Sequence, residues 1–422
     1  MRKSFRSVSR IAIVLLLFVV LFSYAMMQGG FTSWFLFYSF LPILLYPFAL
    51  FVYPIRKWEV TRHIVPQVSE AGNEVTVVIH VERKIPFPLF YCISEDLLPE
   101  TIHHVDCGPK KYYYLDQPEK LSIQRDSKTV SHPWFRRTFT LTYSLPKVPR
   151  GEHTFKKVRL KVGDLFGLLT KECSFPLVDQ LVVYPDERPL QIVERVGSHA
   201  EGAVPASLVS SNQTNTVGSV REYVPGDKFS WIDWKQSANK NTLITKEFEQ
   251  EKSADILIVL DGCADEKVNR LAFEGAVEIT WSFIRKMSKQ TAHVRFLSIA
   301  DETSYFQIQH GSKHNSAIQQ HLTRLRWGKR KQQSFAMRLG EEIASVQSMH
   351  VIIVTMNLNE LLKDVIQEMR VREKSVQLIY IQSENKITKK DKQIIQQLDQ
   401  QGVWVNLLTE TQLMKHPVEV NV

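Results

Sequence analysis

The sequence predicts a multidomain protein: a two-helix transmembrane hairpin, then an Ig-like β-sandwich, then an α/β domain on a mainly parallel sheet. Three observations carry this expectation. No charged residue occurs from Ile11 to Ile55. Apolar residues alternate with polar ones in several short segments between Glu74 and Tyr184, the period of a half-buried strand. From Ala254 onward, continuous apolar runs alternate with amphipathic helical segments, as in sheets covered on both faces.

The 422 residues are enough for two or three ordinary domains, and 44% apolar with 23% charged residues describes a folded chain rather than a disordered or collagenous one. Cys92, Cys107, Cys173 and Cys263 lie far apart with no CxxC pair. That pattern excludes a disulfide framework, a zinc ribbon and a thioredoxin-like motif.

The apolar stretch is about twice the length of one bilayer crossing at about 1.5 Å per residue. Gln28, Gly29 and Gly30 divide it into Ile11 to Met27 and Phe31 to Tyr53, with Pro42 and Pro47 in the second half. Arg2, Lys3, Arg6 and Arg10 precede the pair, Arg56, Lys57 and Arg62 follow it, and the turn has no charge, so both ends are expected in the cytoplasm. A cleaved signal peptide is the competing reading, disfavoured by the second apolar run that follows at once. The pair lacks ionisable residues and is expected to anchor rather than transport.

Strand segments are expected at Glu74 to Glu82, Phe139 to Tyr143, Phe155 to Val162 and Leu181 to Tyr184. His103, His104, Asp106 and Cys107 form a tight group of metal-capable side chains, but adjacent histidines point to opposite sides of a strand, and a polar loop is the better reading. Residues 197–218 are rich in Ser, Asn, Thr and Gly and read as a loop. The domain ranges are therefore 1–58 for the anchor, 59–186 for the sandwich, 187–252 for the linker and connector, and 253–422 for the α/β domain.

Arg221 to Glu251 concentrates rings and charges: Arg221, Glu222, Tyr223, a Pro225 and Gly226 turn, Asp227, Trp231, Asp233, Trp234 and Lys235. A purely structural role has Asp227 capping the turn, Trp231 and Trp234 filling a seam, and Arg221 pairing with Glu222, Asp227 or Asp233. A functional role has the same charges forming a surface for a partner. No nucleophile with an obvious histidine base accompanies them, so docking ranks above catalysis.

The string REYVPGD at Arg221 to Asp227, the IDWK at Ile232 to Lys235, Ala238, Leu243 and Glu247 resemble the signature of the bacterial domain of unknown function 58 family. PRG at Pro149 to Gly151 and DLFGL at Asp164 to Leu168 resemble motifs of its sandwich, and two amino-terminal membrane helices are its common arrangement. Ser230 and Asn239 depart from it, standing where the family carries arginine. The resemblance implies a von Willebrand factor A-like fold for the α/β domain and a partnership with MoxR-type AAA+ ATPases at the bacterial cell membrane, alongside other membrane-associated proteins.

That fold often carries a metal-ion-dependent adhesion site built on DxSxS. Here the string is DGCAD: Asp261 remains, Cys263 and Asp265 replace the serines, and Asn357 stands where an aspartate is usual. A thiol is a poor ligand for magnesium, so the site is expected to be degenerate, with Asp261 and Asp265 its remaining ligands and no cofactor required.

No acid occurs from Thr303 to Gly340, a stretch that holds Arg324, Arg326, Lys329, Arg330 and Lys331. A solvated basic face is the first reading, anionic lipid or an acidic protein the second, and nucleic acid the last, since RNA-binding motifs are absent. The expectation is a non-enzymatic, membrane-anchored interaction scaffold. The alternatives are a metal-assisted hydrolase using Asp261, Asp265 and the connector acids, and a lipid- or nucleic-acid-binding module using the basic block.

Overall fold

The computed structural model describes residues 2–165, 167, 169–193, 217–224, 229–240, 242–248, 255–263, 269–290, 293–309, 315–327, 335–344, 350–372 and 374–421. The protein is multidomain, with an apolar helix near its amino terminus and mixed sheets. It divides into two compact units, one of residues 1–111 and 118–186, the other of residues 112–117 and 187–422.

The first unit begins with helices α1 (Arg2–Gln28) and α2 (Phe31–Val52). They meet at Gly29, whose φ of +60° is a conformation open to glycine. Phe37 of α2 packs its ring against Phe18 and Phe22 of α1, with centroids 5.7 and 5.8 Å away. Among the described residues α2 is the helix long and apolar enough to cross a membrane, and Ile13–Gln28 forms a shorter apolar segment.

Two sheets follow. One joins β1 (Glu59–Val65), β3 (Val75–Glu82) and β6 (Thr138–Leu145) as antiparallel neighbours. The other runs β2 (Val68–Glu70), β8 (Thr170–Tyr184), β7 (Gly151–Gly163), β4 (Tyr91–Asp96) and β5 (Lys128–Ser131). The alternation seen in the sequence is the packing pattern: Val75, Val77, Ile79 and Val81 are buried in one core with Leu141 of β6 and with Phe155, Val158 and Leu160 of β7. A buried ion pair sits within this unit, Arg62 to Asp96 at 2.9 Å.

In the second unit a six-stranded sheet has the order β14 (Thr303–Gln309), β13 (His293–Ile299), β12 (Ile256–Asp261), β15 (His350–Thr355), β16 (Ser375–Ile381) and β17 (Trp404–Leu408). All neighbours are parallel except β13 and β14. The edge strand β14 is absent from the sequence expectation because Thr303 to Gln309 mixes polar and aromatic residues without a clean apolar run.

Strand β12 is buried along its length, as a central parallel strand requires. Leu257 and Val259 share a core with α6 (Phe335–Ala344), α7 (Glu360–Val371) and α8 (Lys389–Gln400), while the long helix α4 (Arg270–Gln290) also packs on β12 and β13. Helix α8 starts where Thr388 and Asp391 cap each other's backbone N–H groups. The remaining elements are β9 (Leu190–Val193) paired with β18 (Val418–Asn421), β10 (Val217–Glu222) paired with β11 (Ile244–Phe248), and helices α3 (Trp234–Lys240), α5 (Asn315–Arg324) and α9 (Glu410–Met414).

Residues 112–117 belong with this second unit. Tyr112 is buried and donates its hydroxyl to Glu278 of α4 at 2.6 Å, and Asn269 donates to the Leu115 carbonyl at 2.6 Å.

Candidate functional site

Parallel strands bring their carboxyl ends to one edge of the sheet, where polar side chains collect beyond the apolar runs. Asp261 ends β12 and is buried. One of its oxygens accepts the Cys263 backbone N–H at 3.0 Å, and the other accepts the Thr355 hydroxyl at 2.7 Å from the end of β15. Gly262 is needed between them because a Cβ there would lie 2.8 Å from the Ala300 Cβ and 3.2 Å from the Ile299 carbonyl oxygen.

The Cys263 thiol is pushed up to about 12, first by burial and then by the neighbouring Asp261 carboxylate. Burial and that carboxylate both disfavour the thiolate, so Cys263 lacks the electropositive surroundings of a reactive cysteine. Further along the same edge, Ser383 donates to Glu410 at 2.6 Å and lies 3.4 Å from Asp116, which Asn385 also approaches at 3.3 Å. Neither Thr355 nor Ser383 has a histidine base among its described partners.

The described donors at the strand end are thus one carboxylate, one threonine hydroxyl and one thiol. Asp265, the second expected ligand, lies outside the described residues, and among those described no group of three or more His, Cys, Asp or Glu side chains could hold a metal ion. A hard cation needs several oxygen donors at once, and the described oxygen donors here are the Asp261 carboxylate and the Thr355 hydroxyl.

The HHVDC group lies in the connection between β4 and β5: His103 ends a 3-10 turn, His104 bridges Ser122, and the buried Asp106 accepts Lys111 at 2.6 Å and the Gly108 N–H at 2.9 Å. Of the basic block, Arg324 ends α5 and Arg326 follows it, both exposed, while Lys329, Arg330 and Lys331 lie outside the described residues.

The connector is the other candidate. Its hairpin pairs Arg221 with Thr245 and Glu222 with Ile244, and Tyr223 donates its N–H to the Leu243 carbonyl at 2.8 Å. Asp233 precedes α3 and acts as its cap, accepting the Lys235 and Gln236 N–H groups at 3.1 and 3.2 Å. Ser237 ties helix to strand, donating its hydroxyl to the Asp233 carbonyl at 2.7 Å and accepting the Ile244 N–H at 2.9 Å. Ile232 and Ile244 are buried beneath. Arg221 and Glu222 are exposed, and the Arg221 guanidinium donates to the Glu222 carbonyl oxygen at 3.3 Å. Pro225, Gly226 and Asp227 lie outside the described residues.

One expectation is corrected here. Trp234 does not fill a seam: it is 66% exposed and Phe229 is 71% exposed, with Tyr223 stacked on Phe229 at 6.1 Å, whereas Trp231 is 37% exposed. The short connection between Asp233 and Ile244 uses its buried positions for Ile232 and Ser237, which leaves the large rings outward. Sequence reasoning also passed over Thr355, Ser383 and Glu410. Thr355 had a signal, a polar residue closing the run Val351 to Val354, whereas Asp116 is placed by the excursion of residues 112–117 and had none.

The family model described as protein of unknown function DUF58 matches residues 219–394, which span the connector, Asp261 and most of the six-stranded sheet. The uncharacterized protein YeaD of Bacillus subtilis (strain 168) is 37% identical over 316 residues, 74% of this chain and 74% of that protein. Two solved structures are distant from this chain: the CARDB domain of the PF1109 protein from Pyrococcus furiosus, solved with di-metal ions, is 10% identical with a TM-score of 0.17, covering 30% of this chain and 88% of that one. Cwp6 from Clostridium difficile is 9% identical with a TM-score of 0.16, covering 84% of this chain and 39% of that one. On the extent and identity of the YeaD match and the DUF58 model on its carboxy-terminal half, the chain belongs to the DUF58 family of proteins of unknown function.

Proposed function

We propose that this protein is a membrane-anchored, non-enzymatic interaction scaffold whose connector docks a protein partner. The observation that carries the reading is the outward placement of Phe229, Trp231 and Trp234 on a hairpin and helix whose one described acid in the IDWK string, Asp233, is committed to capping. Exposed rings in a polar frame are the usual content of a protein-binding hot spot, where tryptophan and tyrosine dominate the energy.

The partner in this reading is a MoxR-type AAA+ ATPase, taken from the family resemblance, and the process is assembly or maturation of a membrane-associated complex. The anchor is α1 with α2 as a two-helix hairpin in the bacterial cell membrane, the soluble units being cytoplasmic. The length and composition of α2 and the basic residues flanking residues 11–55 support it. The two facing sheets are read as an Ig-like sandwich and the six-stranded sheet as a von Willebrand factor A-like domain with a degenerate metal site; the parallel order around β12 and the position of Asp261 support the latter.

The test is affinity capture of the intact, detergent-solubilised protein from its own cells, beside the Trp234→Ala variant. An AAA+ ATPase recovered with the parent and lost with the variant supports docking through the connector. Equal recovery with both, or no ATPase with either, contradicts it.

A further inference from the structure

We infer that the end of the first unit nearest the carboxyl terminus of α2 lies in the headgroup region of an anionic bilayer, with Ile85, Trp134, Phe135 and Leu165 inserted. This rests on the reading of α2 as a membrane span.

Several contacts fix that end of the sheets to the helix. Tyr46 of α2 donates its hydroxyl to the Pro88 carbonyl at 2.7 Å, and Tyr53 donates to the Ile85 carbonyl at 2.7 Å. Lys171, at the start of β8, donates to the carbonyl oxygens of Phe51 and Tyr53 at 2.9 and 2.6 Å, satisfying groups that a helix end leaves open. A run of rings continues outward. Tyr53 stacks on Phe87 at 4.8 Å, Tyr46 meets Phe90 edge-on at 5.1 Å, and Phe90 meets Trp134 at 5.3 Å.

These contacts set the depth. The 22 residues of α2 span about 33 Å, close to the hydrocarbon thickness of about 30 Å, so the last turns of α2 reach the interface. Tyr46 lies seven residues before Tyr53, about 10 Å back along the axis, where the helix is still apolar. A loop hydrogen bonded at Tyr46 therefore sits at headgroup level or below.

The side chains at that level fit such surroundings. Ile85, Trp134, Phe135 and Leu165 are each more than half exposed although they are large and apolar. Trp134 holds φ at 46°, a region costly for a bulky residue, at the tip of the connection between β5 and β6. Arg136 and Arg137 follow it, both exposed, and Arg56 and Lys57 follow α2, also exposed. The acids nearby are Glu59, paired with Lys84 at 3.2 Å, Glu82, which faces Glu59 across the β1 and β3 ladder, Glu172, paired with Arg159 at 3.0 Å, and Asp164, which is buried and accepts the Leu169 N–H at 2.7 Å. Indole and phenyl rings beside arginine and lysine are the composition of a membrane interface, and the excess of cations favours anionic lipid.

The experiment uses the full chain in nanodiscs of phosphatidylcholine and phosphatidylglycerol. An environment-sensitive fluorophore is attached through Phe135→Cys, or through Glu74→Cys as control, and the parent chain is labelled alongside to subtract the native thiols. Glu74 precedes β3 at the opposite end of the sheet, about 30 Å from Arg83 at the strand rise of about 3.3 Å per residue. The expected result is loss of emission at 135 to lipids carrying a quencher near the glycerol, no loss at 74, and a smaller loss at 135 when Arg136→Glu/Arg137→Glu is added or phosphatidylglycerol is omitted. A chain that carbonate strips from membranes overturns the anchor and this inference together. A chain retained in the disc with no quenching at 135, with equal quenching at 74, or with two copies cross-linking through 135 in place of quenching, overturns this inference alone.

Discussion

Arg62 is the point at which the first unit is most sensitive to a single change. It leaves β1 with no exposed side-chain surface, donating to Asp96 of β4 at 2.9 Å and to Asp179 of β8 at 3.0 Å. Tyr143 of β6 donates to the same Asp96 carboxylate at 2.7 Å, so one charge cluster ties both sheets. Burial pushes the Asp96 carboxyl above its ordinary range, and the Arg62 guanidinium and the Tyr143 hydroxyl pull it back. Arg62→Met removes the cation and leaves the carboxylate in an apolar core. Breaking one half of a buried pair costs about 3 to 5 kcal/mol. For a unit of this size that corresponds to a fall in Tm of roughly 6 to 20 °C. The triple variant Arg62→Met/Asp96→Leu/Tyr143→Phe removes every member with a buried polar atom and should recover most of the loss, because well-packed apolar residues replace such clusters at little cost. Hydrogen exchange of the β3 and β6 amides in the full chain reads this unit separately from the other. A loss under about 1 kcal/mol for Arg62→Met, a value typical of a surface ion pair, would refute the reasoning.

Other outcomes follow from the second unit and from the thiols. His321 packs on Phe296 and Phe306, its Nε2 and the Nδ1 of His350 have no hydrogen-bond partner among the described residues, and burial holds both rings below the ordinary histidine value of about 6.5. The unfolded chain takes up these protons first as pH falls, so their contribution to stability is complete above about 6.5 and is lost on the way down through the lower folded-state values. Tm between pH 7.5 and 5 should fall less for His321→Gln than for the parent, and an equal slope would count against the assignment. Tyr112→Phe deletes the donor to buried Glu278 and should cost about 1.5 to 3 kcal/mol in α4 exchange protection, as for a lost bond to a charged group. Cys92 and Cys263 are each pushed up to about 12, chiefly by burial, and should resist maleimide at pH 7.5 in the folded chain. Prompt modification of either, read by peptide mass spectrometry, would contradict that environment.

Elements whose cores face one way were legible from the sequence. The alternation from Val75 to Val81, the runs Ile256 to Leu260 and Val351 to Val354, and the helical period of Lys389 to Gln400 all mark the elements that form there, because burial on one or both faces writes its period into the chain. Strands β4 and β5 were not legible, since Tyr91 to Asp96 and Lys128 to Ser131 carry charged and hydroxyl residues at sites that the buried ion network and the edge of the sheet accept. The excursion of residues 112–117 into the second unit left no periodic trace at all. At the candidate site the sequence reading placed a cap at Asp227 and foresaw neither the cap at Asp233 nor the exposure of Trp234. Composition favours burying indole, and only the three-dimensional placement of Ile232, Ser237 and Ile244 shows that the interior positions are already filled.

The central claim, that the connector presents a protein-docking surface, is tested most directly by photo-cross-linking in living cells with benzoylphenylalanine in place of Trp234, and in place of exposed Val371 as control. The account predicts a discrete cross-linked species at 234, identified by mass spectrometry as an AAA+ ATPase, and none of that species at 371. Cross-linking to the same ATPase at both sites, or to no protein at 234 in cells that express the ATPase, would contradict it.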